Sequence, residues 1–274
     1  MNETVSQIQE IVFGVLCDID DYCSKNEIRY YLSGGSCLGA IRHHGFIPWD
    51  DDADIMIPRP DYDRFMVGFE EAYSTKYGVG SLGTDKDWQI PFGRIWDKST
   101  IARFKNLSLK EMGVFVDVFP IDGLPENVRK QSTVYKKLKV LNVLRHAALR
   151  VRFRNNEKFR LLKRFLHLVC KPIGAGFFAR AMEKCVIKYD FDTSKYVAVS
   201  LACHYGAKET IEQKEMATGE LVPFEGRLLP VPTGYDVYLH NLYGDYMIPQ
   251  RESSEKGYTH LEKWDIDFGN YKEE

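Results

Sequence analysis

From the N-terminus, Val5, Ile8, Val12, Leu16, Ile19 and Cys23 recur at three- and four-residue intervals, the spacing that gives a helix one apolar side. The pattern then changes. Ile28 to Leu32 reads as a short strand, and Gly34-Gly35 end it in a turn. SCLGAIRHH opens a helix with Ser36 near its N-cap, and after a Pro-Trp loop DDADIMI alternates as a strand until Pro58 and Pro60 stop it. DYDRFMVGFEEAY predicts a helix capped by Asp61, with Tyr62, Phe65, Phe69 and Tyr73 on one side. PFGRIWD and TIARF are short strand candidates, and GVFVDVFPIDG, dense in β-branched and aromatic residues, is the strongest strand signal in the chain.

From about Glu126 to Asp190 the pattern is helical and basic, broken by Asn155-Asn156 and by KPIGAG. Extended pieces return at YVAVSLAC, followed by a hairpin at ELVPFEGRLLPVP, a helix near Tyr235 to Tyr243 and a polar tail. The reading is an α/β core at 1–125, a basic helical insertion at 126–190, and a C-terminal part at 191–274 that completes the core.

Composition narrows the class. With 274 residues, 44% hydrophobic and 28% charged, the chain is not disordered, collagenous or of low complexity. No run approaches the roughly eighteen apolar residues of a spanning helix, and acids stand near the start where a secretory signal carries Lys or Arg, so the expectation is a cytoplasmic protein. Six scattered cysteines without C-x-x-C spacing read as reduced and mostly buried, not as a zinc site. The net charge of -2 conceals an asymmetry: Lys136 to Lys188 hold fifteen basic residues against Glu157 and Glu183, which makes that segment +13 and the remainder -15. Such a block suits a surface that meets polyanions, and equally a solvated helical face. Within it, Phe159, Leu162, Phe165, Leu166 and Val169 fall on one helical side, with Arg160, Lys163, Arg164 and His167 largely around the other. That arrangement predicts a helix lying on an anionic leaflet, its competitor being a helix packed inside the insertion.

The candidate chemistry lies in YYLSGGSCLGAIRHHGFIPWDDDADIMI. Glycines let a phosphate approach the backbone, and the first amides of the following helix favour its charge. Asp52 and Asp54, two apart on a strand, leave the same face, and Asp117 stands mid-strand opposite Val114, Val116 and Val118. Hard oxygen donors on one face suit Mg²⁺ or Mn²⁺. Taken singly these signals are weak, because glycine turns are everywhere and the triplet Asp50-Asp51-Asp52 reads as a solvated turn. Their order decides: strand, glycine turn, helix, D-x-D on a strand and D on a later strand is the layout of a polymerase-β-like nucleotidyltransferase core, a mixed sheet flanked by helices.

On LSGGSCLGAIRHHGFIPWDDDADIMIPRPDYDRF, FVDVFPIDG and PFEGRLLPVPTGYDVYLHNLYGDYMIP, the chain resembles the LicD family of phosphotransferases. The resemblance implies transfer of a phospho-alcohol, phosphocholine from CDP-choline or the alcohol phosphate of another CDP-alcohol, to a glycan hydroxyl with release of CMP. The acceptor would be a cell-surface glycan such as a teichoic acid or lipopolysaccharide precursor, carried on a lipid at the inner face of the membrane, and nucleic acid is not an expected partner. It also implies that Gly34, Gly35 and Ser36 cradle donor phosphates and that Asp52, Asp54 and Asp117 bind the metal. Arg42 and Arg94 are diphosphate-clamp candidates, because a guanidinium meets phosphate oxygens in pairs. His43 and His44 read as loop residues, His204 as structural, and Tyr243 to Asp245 as packing for the last helix. Nucleotidyl transfer with pyrophosphate release, and a non-catalytic polyanion-binding module, are the alternatives.

Overall fold

The structure is a computed structural model that describes residues 3–153, 156–248 and 264–269. The predicted first helix, α1 (Glu3–Lys25), buries Ile8, Val12, Leu16, Ile19 and Cys23 along one side. The strand expected at Ile28 shrinks to β1 (Tyr31–Leu32), and α2 (Gly34–His43) begins at once, with Ser33 at its N-cap in place of Ser36. β2 (Ala53–Pro58) leads directly into α3 (Arg59–Tyr73). Pro60 therefore starts that helix, where its missing N–H costs nothing. Asp61 does not cap α3; it is buried in the first turn and accepts from Arg29 at 2.6 Å and Arg64 at 3.2 Å.

Strand β3 (Tyr77–Gly80) has no signal in the sequence, and its neighbours explain why. A Cβ on Gly78 would stand 2.0 Å from the Trp96 ring, and Trp96 itself stacks on Trp88 at 6.2 Å. Glycine is there to admit an indole, against ordinary strand preference. Next come β4 (Gly93–Asp97), β5 (Ile101–Phe104) and the ten-residue β6 (Phe115–Leu124), the predicted strands of the central region.

Three helices follow: α4 (Val128–Leu149), α5 (Arg160–Cys170) and α6 (Ala175–Val186). Arg154 and Asn155 lie outside the described residues. The C-terminal third adds β7 (Tyr196–Ala198), β8 (Ile211–Glu212), the expected hairpin of β9 (Gly219–Phe224) and β10 (Arg227–Pro232), then α7 (Tyr235–Tyr243) and β11 (Trp264–Asp267). Most of the predicted polar tail lies outside the described residues.

The strands build a mixed sheet in the order β1-β2-β6-β4-β3, with β7 on the far end of β6 and β8 beside it. β2 and β6 run parallel, and the other pairs of this sheet are antiparallel. Ile55, Ile57, Val116 and Val118 are fully buried in its core. α6 is fastened to the sheet by a buried ionic group: Arg59 donates to both oxygens of Asp122, at 2.7 and 2.8 Å, and to Glu183 at 3.2 Å. Of the helices in the basic segment, α6 thus shares a polar anchor with the sheet.

Candidate active site

The parallel register of β2 and β6 sets Asp54 directly beside Asp117, and the antiparallel register of β6 and β4 sets Asp117 beside Arg94. Alternation along each strand turns the apolar neighbours, Ala53 and Ile55 or Val116 and Val118, into the core. Both carboxylates therefore reach the same cleft, of about 710 Å³, which Asp50 and Asp52 also line.

The glycine turn faces these acids. Gly34 has φ +49°, and a Cβ there would stand 3.5 Å from Asp54 Oδ2; at Gly35 it would stand 3.0 Å from Asp50 Oδ2. Positive φ and close approach both favour glycine. Ser36 is buried and its hydroxyl accepts from the Asp54 amide at 2.9 Å, tying α2 to β2. It positions an acid and does not line the cleft. The Gly34 amide donates to the Tyr238 hydroxyl at 3.2 Å, so α7 buttresses the turn from behind.

The two arginines part company. Arg42 lines the cleft, donates through Nη1 to the Tyr246 carbonyl at 2.7 Å, and burial lowers its pKa. Arg94 is engaged elsewhere: Nε reaches Asp117 Oδ1 at 2.6 Å, Nη2 reaches Oδ2 at 3.3 Å, and the guanidinium lies over the Phe115 ring at 3.9 Å. Arg94, expected as a diphosphate clamp, is buried here and orients Asp117.

A second cavity, of about 430 Å³, shares Asp52, Asp117, Phe92 and His204 with the first and adds Arg94, Arg145 and His146. Burial, and then the neighbouring Arg94 charge, push the Arg145 pKa down to about 10; burial followed by Arg145 pushes that of His146 down to about 4. His146 is accordingly neutral at physiological pH. Two cavities meet at Asp52 and Asp117.

For a divalent ion the donor chemistry fits. Oxygens of Asp50, Asp51 and Asp52 lie within 4.8 Å of one another, so the triplet read from sequence as a solvated turn is a convergent set of hard donors beside Asp54 and Asp117. Tyr205 and Glu209 of the cleft gave no signal in the sequence. Tyr205 donates to the Tyr243 hydroxyl at 3.1 Å, and burial raises the pKa of both phenols. Tyr243, Asp245 and His204, expected to serve packing, line the cleft. So does Glu209, which is 4% exposed and whose carboxyl is pushed up to about 8 by burial.

Comparison with known proteins identifies relatives of the chain. A family model described as LicD/FKTN/FKRP, nucleotidyltransferase domain, matches residues 27–164. The lipopolysaccharide cholinephosphotransferase LicD of Haemophilus influenzae is 29% identical over 262 residues, covering 92% of this chain and 95% of that protein. Human ribitol 5-phosphate transferase FKRP is 32% identical over 94 residues, 34% of this chain and 17% of that protein. The family match takes in the glycine turn, every acid of the cluster, and Arg42 and Arg94, and spans half of the sequence: the chain belongs to the LicD family.

Proposed function

We propose that the protein transfers a phospho-alcohol, with phosphocholine from CDP-choline the preferred case, to a sugar hydroxyl of a cell-surface glycan such as a teichoic acid or lipopolysaccharide precursor, releasing CMP. The named relatives are a cholinephosphotransferase and a ribitol phosphate transferase, and the chain is an enzyme of this phosphotransferase class. The observation that carries the reading is the meeting of two cavities at Asp52 and Asp117, beside a glycine turn and Arg42. A two-substrate transfer needs room for donor and acceptor on either side of the reacting phosphorus.

Gly34 and Gly35 present backbone to the donor phosphates, and Arg42 is the guanidinium available to the diphosphate from within the large cleft. Asp52 and its neighbours Asp50 and Asp51, with Asp54 and Asp117 alongside, would hold Mg²⁺ or Mn²⁺, which when bound supplies charge neutralisation to the diphosphate and the departing CMP. Arg94 keeps Asp117 aimed at the cleft. The test is a panel of CDP-alcohols with label in the alcohol, analysed by chromatography. CMP should appear with alcohol and one phosphate joined to the glycan; pyrophosphate from CTP with cytidine on the acceptor would establish nucleotidyl transfer instead.

No helix of the described residues is long and apolar enough to cross a membrane. α5 nonetheless carries an outward apolar surface: Leu161 is 82% exposed, Leu168 73% and Phe165 61%, while Cys170 is its buried residue. His167 turns inward and its Nδ1 meets the Ala147 carbonyl at 2.9 Å. The helix is not packed apolar side down inside a core. Surrounded by the Lys and Arg of the segment, this surface suits peripheral docking on an anionic leaflet, where a lipid-linked acceptor would be found. Liposomes with anionic headgroups should sediment the protein at low salt, and Leu161→Glu with Phe165→Glu should abolish it; equal partition onto neutral vesicles would argue against a leaflet-charge role.

A further inference from the structure

We propose that Glu209 and the tyrosine rings beside it form a pocket for a quaternary ammonium group, the cationic head of the transferred phospho-alcohol. The proposal rests on the phospho-alcohol reading and specifies its substrate.

Glu209 closes a 3-10 turn (Gly206–Glu209), lines the large cleft, and is 4% exposed. Its Oε2 is fully buried without a hydrogen-bond partner among the described residues. An acid so placed is costly to the empty protein and is satisfied by a ligand that brings positive charge. Burial pushes its carboxyl up to about 8, with no offsetting cation among the described residues.

The surroundings select among cations. The Tyr238 hydroxyl is within 3.2 Å of both Ser33 Oγ and the Gly34 amide, and the Tyr205 hydroxyl donates to that of Tyr243 at 3.1 Å. Each of these hydroxyls makes a hydrogen bond inside the protein, and the rings add aromatic surface to the site. Tyr205 and Tyr243 stand at 83° with centroids 5.4 Å apart, two walls of a corner, and the His204 ring meets Tyr205 at 4.6 Å. A quaternary ammonium has no N–H to donate and is held by charge and π faces, which an unsatisfied buried carboxyl beside tyrosine rings supplies. The corner adjoins the phosphate turn: a Cβ on Gly34 would lie 3.7 Å from the Tyr243 hydroxyl and 3.5 Å from Asp54 Oδ2. A phosphate on the turn thus places its alcohol toward the rings and Glu209.

The test compares phosphocholine with the isosteric phosphate in which a quaternary carbon replaces the nitrogen, by calorimetric titration of the full chain. The parent should bind phosphocholine roughly tenfold or more tightly than the neutral isostere. Glu209→Gln should bring the ratio close to one by weakening phosphocholine alone, and Glu209→Asp should retain part of the preference; a purely structural role would weaken both ligands together. Equal affinities in the parent, or an unchanged ratio in Glu209→Gln, would overturn the pocket. CDP-choline turnover is scored separately on the same protein. CMP release without cation preference removes the pocket and leaves the transfer reading, and a Glu209-dependent preference without CMP release does the reverse.

Discussion

Asp54→Asn and Asp117→Asn are each expected to lower the turnover of a CDP-alcohol by roughly 10²–10³-fold or more, while the protein stays folded. The two acids are register partners on parallel strands at the mouth of one cleft, and Asp54 sits against the glycine turn. Replacing either carboxylate by its neutral isostere keeps shape and removes charge where an electrophilic diphosphate would be bound. In Asp54→Asn stability should hold or rise, since crowding of acids in this region is a like-charge cost to the unliganded fold, whereas Asp117→Asn also takes the charge partner from buried Arg94 and should lower the melting midpoint. EDTA should silence the parent to the same degree, with recovery on adding Mg²⁺ or Mn²⁺. Initial rates read beside thermal melts decide the matter: full activity in chelator, or a parental rate in Asp54→Asn, would remove the metal reading from this cluster.

Much of this acidic constellation was legible because strands alternate with period two. Asp54 before Ile55 and Asp117 between Val116 and Val118 can only place their carboxylates opposite the buried valines and isoleucines, whereas Asp52, expected on the same strand, falls just before β2. What alternation cannot reveal is which partner a side chain meets. Arg94 looked like a phosphate ligand, and only the β4–β6 register shows that it faces Asp117. Ser36 looked like part of a phosphate cradle, and only the packing of α2 on β2 shows its hydroxyl on the Asp54 amide.

Other features were hidden for different reasons. β3 owes its glycines to tryptophan rings that come from later in the chain, so local preference argues against a strand that tertiary packing requires. Tyr205 and Glu209 sit in irregular backbone and 3-10 turns, where no periodicity marks a face. The apolar side of α5 was visible as a pattern, but a pattern states that such a side exists and not whether protein covers it; the exposure of Phe159, Leu162, Phe165 and Val169 answers that. The C-terminal helix, read as packing, is also where Tyr238 braces the Gly34 turn and Tyr243 enters the cleft.

Breaking the Arg59–Asp122 pair is expected to have the largest effect on stability. Asp122 is fully buried on β6, and Arg59 grips it with two hydrogen bonds while lying over the Tyr62 ring at 5.1 Å. Asp122→Ala removes the bidentate partner of a buried guanidinium, leaving Glu183 at 3.2 Å and Asp63 at 3.7 Å, a loss of about 3–5 kcal/mol. At roughly 2–4 °C per kcal/mol for a domain of this size, the melting midpoint should fall by about 10 °C. The pair itself need not be net stabilising, because both ions gave up hydration to enter the interior. A double variant, Arg59→Met with Asp122→Leu, should therefore recover much of the loss, although Glu183 would then face an apolar neighbour. Calorimetric melts of the two single variants and the double variant form a complete cycle. The coupling would be sizeable if the group fastens α6 to the sheet. If Asp122→Ala melts within about 2 °C of the parent, less than 1 kcal/mol on the same scale, the helices of the basic segment are held by their apolar contacts instead.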